Sequence, residues 1–201
     1  KAAAIGSVVT EPQSRNQGLS HRVLDDCLAE ARRQECDFAI LWSDLYEFYQ
    51  KLDFELCGSE ISLVIEENFP PPTPNLRIIK GAQISTEAIL RLFNQHTVTS
   101  VRTADDIRKY LQIPNSNIFT AWDFSNNLVA YAVEGKGADL TNYIHEWGGS
   151  VPAIMSLISF IRREKGQPIT FMAPNSAQNL IRKIETLENV VGMIPPAFGI
   201  P

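Results

Sequence analysis

The chain has 201 residues, of which 44% are hydrophobic and 20% charged, with a formal net charge of −5. These are the proportions of an ordinary soluble globular protein of one large domain or two small ones. The acidic balance argues against general nucleic-acid or membrane-surface binding, no apolar run reaches the roughly 18–20 residues of a membrane span, and no signal peptide is recognisable.

In chain order, Val8, Val9 and Thr10 read as a buried strand, the residues from Glu11 to Gln17 as a polar loop, and Gly18, Leu19 and Ser20 as a helix start. A helix start carries unpaired N–H groups and the positive end of the helix dipole, so it attracts anions. Arg15 adds a forked positive charge beside it, and Gly18 lets backbone approach a ligand without a side chain in the way. Together they suit a phosphate-bearing cofactor. The helix follows with an apolar stripe of Leu19, Val23, Leu24, Cys27, Leu28 and Ala31, opposite Arg22, Asp25, Asp26 and Glu30. On this spacing Cys27 is expected in the core. A strand at residues 38–42, a helix at 45–52 and a strand from Phe54 complete an α/β order.

Residues 8–20, V-V-T-E-P-Q-S-R-N-Q-G-L-S, and residues 49–54, Y-Q-K-L-D-F, make the segment 1–66 similar to the second half of a GNAT (Gcn5-related) N-acetyltransferase domain. In that family an R/Q-x-x-G-x-G/A motif holds the pyrophosphate of acetyl-coenzyme A, and the tyrosine of Y-x-x-x-G-F often protonates the departing thiolate. Ser20 replaces the family's small Gly or Ala, and Asp53 its Gly, at a position that favours a left-handed backbone. The resemblance implies that Arg15, Asn16, Gln17, Gly18, Leu19 and Ser20 bind the diphosphate and that Val8, Val9 and Thr10 hold the pantetheine arm and thioester carbonyl. It further implies that Ser43 or Asp44 touches the pantetheine and that Tyr49 is the general acid. The alternatives stay open at each position. Arg15 also reads as a solvated loop charge, Tyr49 as a packed aromatic with Tyr46 its competitor, and Asp44 as an N-cap.

Pro70, Pro71, Pro72 and Pro74 mark residues 68–75 as an extended linker, which divides the chain into domains 1–67 and 76–201. Beyond it the pattern predicts a strand at 76–79, helices at 86–95 and 103–111, and strands at 118–122, 128–134 and 142–147. Thr103 with Asp106 suits a capping box, and residues 123–127 have turn chemistry. A helix through Arg163, a strand at 169–173, a helix at 176–187 and a strand at 190–194 close the sequence. The order resembles a second GNAT-like domain. It is read as degenerate, because residues 147–155 lack the R/Q-x-x-G-x-G/A pattern and residues 175–181 lack Y-x-x-x-G-F. Glu146 there either helps to bind a cationic acceptor or makes a structural salt bridge, and His145 is read as structural.

The expected fold class is therefore α/β (α+β), a GNAT-like mixed sheet flanked by helices with a second, degenerate GNAT-like domain. The expected activity is acetyl-CoA-dependent transfer to the amine of a small molecule or peptide, without a metal. The alternative is a non-catalytic acyl-CoA sensor or interaction module. Three cysteines, Cys27, Cys36 and Cys57, are an odd number without metal-ligand spacing and point to a reducing, cytoplasmic compartment. The strand at Val8 is expected to expose an unpaired edge and an uncovered apolar face, to be completed by preceding sequence or by a second copy in a homodimer.

Overall fold

The computed structural model describes residues 1–73, 75–81, 84–187, 190–193 and 196–200, with residues 139, 191–193 and 196–200 described by backbone alone. The chain forms two compact units, one of residues 1–60 with the segment from 194, the other of residues 61–193.

In the first unit β1 (Ala2–Ala4) runs parallel to β2 (Phe38–Trp42), with Ala3 opposite Ala39. The last strand, β10 (Pro196–Ile200), lies antiparallel between β2 and β3 (Glu55–Ile65), giving the order β1-β2-β10-β3. Strand alternation sends Ala39 and Leu41 into a core with Leu24, Tyr49 and Phe54. Phe38 and Trp42, on the opposite face, are exposed, and β1 ends the sheet order. The helices are α1 (Leu19–Arg33) and the short α2 (Tyr46–Gln50). The apolar stripe of α1 is split. Leu24 is buried and Leu28 packs on the core, whereas Val23 and Cys27 are exposed. Cys27 is therefore not a core residue: it stands one helical turn beyond Val23 and lines the groove between α1 and the β1 segment.

The second unit contains β4 (Arg77–Lys80), α3 (Thr86–Phe93), α4 (Ala104–Leu111), β5 (Asn117–Trp122), β6 (Leu128–Lys136) and β7 (Asp139–Gly149). Then follow α5 (Val151–Lys165), β8 (Ile169–Pro174), α6 (Gln178–Glu185) and β9 (Val190–Met193). Its sheet has the order β4-β5-β6-β7-β8-β3, with β9 also on β3. Pairing is antiparallel from β4 to β7 and parallel between β7 and β8. Alternation along β5 and β6 serves two cores. Ile118, Tyr131 and Val133 pack with Ile89 and Leu92 of α3 and Ile107 of α4. Phe119, Ala121, Ala130 and Ala132 pack with α5 and α6 on the other face. The sheet is thus mixed and flanked by helices on both faces.

Residues 66–73 are bound to α5. Ser159 Oγ donates to the Phe69 carbonyl at 2.5 Å, Thr73 N donates to Ser156 Oγ at 3.2 Å, and Arg162 donates to the Glu66 carbonyl. These bonds place the proline-rich run with the second unit, so the division at residue 60 differs from the sequence-based one at 67 and 76. At α4 the capping box forms as its residue types predict: Asp106 N donates to Thr103 Oγ1, and Thr103 N donates to Asp106. Thr103→Ala is expected to cost about 1 kcal/mol of unfolding free energy, measured by urea denaturation.

Candidate functional site

The final ladder bond of β1 runs from Ile5 N to Ile40 O, at 2.9 Å. Ser7 then takes a left-handed backbone, φ 54°, and turns the chain out of the sheet. The strand expected at Val8 to Thr10 accordingly lies earlier, at β1. Val8 packs partly against the core, and Val9 is 85% exposed. A 3-10 turn at Pro12–Ser14 folds the loop back, and Arg15 Nε donates to the Thr10 carbonyl at 3.3 Å across it. Asn16 and Gly18 both have left-handed φ, 61° and 71°. Gly18 is the N-cap of α1, and no side chain caps that end. The first amides of α1 thus lack a side-chain acceptor, behind a loop carrying the exposed guanidinium of Arg15. At Gly18 a Cβ would meet open space, so the glycine answers to the backbone angle and not to crowding.

A cleft of about 390 Å³ runs beside this loop. Val8, Val9, Thr10, Leu19 and Ser20 line it, together with Glu11, Ser14 and Val23, which sequence reasoning did not select. Arg15, Asn16, Gln17 and Gly18 form the exposed loop at the helix start. Ser43, Asp44 and Tyr49 lie at the end of β2 and in α2 and are not among the residues lining the cleft. Ser43 Oγ accepts from Leu45 N at 3.0 Å and is also hydrogen-bonded to Tyr49. Asp44 is exposed, and the N-cap of α2 is Leu45. Tyr49 is 5% exposed, held edge-on by Phe48 and Phe54 with ring centroids at 4.9 and 5.8 Å. Burial pushes its phenol above the ordinary tyrosine value, and the Ser43 hydrogen bond offsets part of that rise. Tyr46 is more exposed, and its hydroxyl accepts from Gln50 at 2.8 Å. Asp53 has the left-handed backbone its position demands, φ 62°.

Among the described residues of the second unit no corresponding loop stands between β7 and α5. Gly148 and Gly149 belong to β7, opposite Tyr131 and Ala130 of β6, and Ser150 alone separates β7 from α5. A Cβ on Gly149 would stand 2.2 Å from the Val129 carbonyl, so this glycine serves strand packing. Glu146 accepts from Arg102 at 2.8 Å and from the Tyr131 hydroxyl at 3.4 Å. The Arg102 guanidinium lies 4.1 Å from the Phe93 ring and 4.7 Å from the Tyr110 ring. Glu146 is thus engaged in a structural ion pair. His145 bonds the Gly135 carbonyl at 2.9 Å, and burial pushes its imidazole below the usual value, which favours the neutral ring.

A sequence model of the acetyltransferase (GNAT) domain matches residues 1–57. Residues 1–57 are thus similar to a GNAT acetyltransferase domain. No curated protein matches the chain by sequence. Among solved structures, a GCN5-related N-acetyltransferase from Anabaena variabilis superposes with a TM-score of 0.68 at 15% identity, covering 98% of this chain and 54% of that one. A conserved protein of unknown function from Enterococcus faecalis gives 0.67 at 17% identity, covering 98% and 54%. A tandem GNAT protein from the clavulanic acid biosynthesis pathway gives 0.69 at 7% identity, covering 98% and 74%. These likenesses establish a GNAT fold, and the chain spans about half the length of the first two proteins. Among the described residues no helix is long and apolar enough to cross a membrane, and no group of three or more His, Cys, Asp or Glu is placed to hold a metal ion.

Proposed function

We propose that the chain carries the coenzyme-holding half of an acetyl-CoA-dependent N-acetyltransferase and a second GNAT-like unit that has lost the coenzyme loop. The observation that carries this reading is the start of α1, uncapped by any side chain and approached through the left-handed Gly18 beside Arg15. Such an end binds the diphosphate through backbone amides and the helix dipole, with Arg15 neutralising charge. The pantetheine arm would extend along Val8, Val9 and Thr10. The acceptor is a primary amine on a small molecule or peptide, attacking directly in a ternary complex. Its nitrogen forms a bond to the thioester carbonyl carbon as the carbon–sulfur bond breaks. The sulfur takes the Tyr49 proton, and the nitrogen releases one to solvent, from which Tyr49 is restored.

Calorimetric titration with acetyl-CoA tests this. Arg15→Ala is expected to weaken binding roughly tenfold to hundredfold, the loss of a charge-assisted contact. Gly18→Glu should remove it, because the new carboxylate stands where the phosphate sits and the backbone disfavours a side chain. Absence of binding by the folded wild-type chain overturns the proposal. The burial of Tyr49 favours a second reading, an acyl-CoA sensor without turnover.

A further inference from the structure

The second unit contains a cavity of about 340 Å³ at the carboxyl ends of β7 and β8. We propose that it is a binding site for a small uncharged molecule made of a flat ring and a carboxamide-like group.

The position follows from the sheet. β7 and β8 pair through backbone at Tyr143 with Thr170 and at Ile144 with Phe171. Beyond those pairs a side chain takes over, as the Trp147 indole N–H donates to the Met172 carbonyl at 2.9 Å. The opening lies past the ends of two parallel strands, between Gly149 and Pro174, the place where open α/β sheets receive ligands.

The lining sets the ligand class. Trp147 and His96 form an aromatic wall, with centroids 4.7 Å apart at 66°. His96 Nε2 is fixed 2.7 Å from the Trp147 carbonyl, so that nitrogen carries the proton. Leu92 and Ile154 are buried apolar walls, and Gln95 and Asn179 place side-chain amides at the exposed rim. Among the described residues no Asp, Glu, Lys or Arg lines the cavity. A charged ligand would therefore shed water without gaining a counter-charge, whereas a carboxamide exchanges donor and acceptor with Gln95 and Asn179. The volume is at the small end of the roughly 300–1,000 Å³ of ligand pockets, which suits a single substituted ring. The missing loop between β7 and α5 separates this site from one for a coenzyme diphosphate.

The test uses the full chain labelled with ¹⁵N and three isosteric probes: benzamide, benzoate and benzylamine. The indole N–H resonance of Trp147 reports binding, and those of Trp42 and Trp122 serve as internal controls. Benzamide is expected to shift the Trp147 signal saturably, with a dissociation constant in about the millimolar range for so few atoms. Benzoate and benzylammonium should bind at least about tenfold more weakly, for want of a counter-charge. Asn179→Trp and Gln95→Trp, both at exposed rim positions, should each abolish the shift in a protein of unchanged circular dichroism. The proposal is overturned by the absence of a saturable benzamide shift, by equal affinity for the charged probes, or by undiminished binding in both rim variants.

Discussion

Tyr49→Phe is expected to lower acetyl-transfer turnover by about 100-fold or more, the usual contribution of a positioned general acid, with the affinity for acetyl-CoA unchanged. The hydroxyl is the only group removed. The ring keeps its edge contacts with Phe48 and Phe54, so the first unit should lose no more than about 1 kcal/mol from the Ser43 hydrogen bond. Because burial raises the phenol's pKa, the proton stays in place throughout the neutral range and beyond the ordinary tyrosine value near 10. The rate profile should therefore show no falling limb from this group until pH exceeds about 10. The stability linkage has the same sign. A raised folded pKa stabilises the unit fully below the unfolded value, and the contribution is lost as pH rises through the folded one. Turnover equal to wild type in Tyr49→Phe would leave Tyr49 as a packing residue. The same substitution in Tyr46, whose hydroxyl already accepts from Gln50, should change turnover little.

Most elements of the chain were legible because their own side chains decide them. The helices expected at 86–95 and 103–111, the cap at Thr103 and the strands expected at 118–122 and 128–134 rest on local signals that agree with tertiary packing. The misses share one cause: the deciding partner lies far along the sequence. Val8 and Val9 look more strand-like than Ala2–Ala4, yet the strand belongs where Ile40 offers its carbonyl and ends where Ser7 turns. The strand β10 begins on the second of two consecutive prolines and has its partners in β2 and β3, so nothing nearby announces it. Cys27 follows the helical period but faces a groove, because only the Leu24 and Leu28 part of the stripe meets the core.

The candidate site shows the same division. The helix start at Gly18 and the charge of Arg15 beside it were legible because they are local, whereas the left-handed φ of Gly18 and the bond of Arg15 to the Thr10 carbonyl come from the structure. Glu11 and Ser14 reach the cleft only because the 3-10 turn folds the loop over, and spacing does not reveal such a turn. Glu146 could not be assigned from its strand alone, since what engages it is Arg102, 44 residues earlier, held between two rings.

Glu134→Ala is expected to destabilise the second unit by about 3–5 kcal/mol, the range for breaking a buried ion pair from one side. The carboxylate is 1% exposed and sits where the β6–β7 ladder shifts register. One oxygen accepts from Asn117 Nδ2 at 2.8 Å and from Lys165 Nζ at 2.7 Å, and the other from the backbone N–H of Asn142 at 2.7 Å. Its removal leaves two hydrogen-bond donors and a largely buried ammonium without this acceptor, which is the expensive direction of the change. The melting temperature should fall by roughly 10–20 °C. Lys165→Met alone should cost less, because the retained carboxylate keeps Asn117 and Asn142. Adding Lys165→Met to Glu134→Ala should recover part of the loss, since no unpaired ammonium remains buried. A double-mutant cycle by urea denaturation measures that recovery. Strict additivity would mean that the stability of this corner comes from the amide contacts of Glu134 and not from its charge.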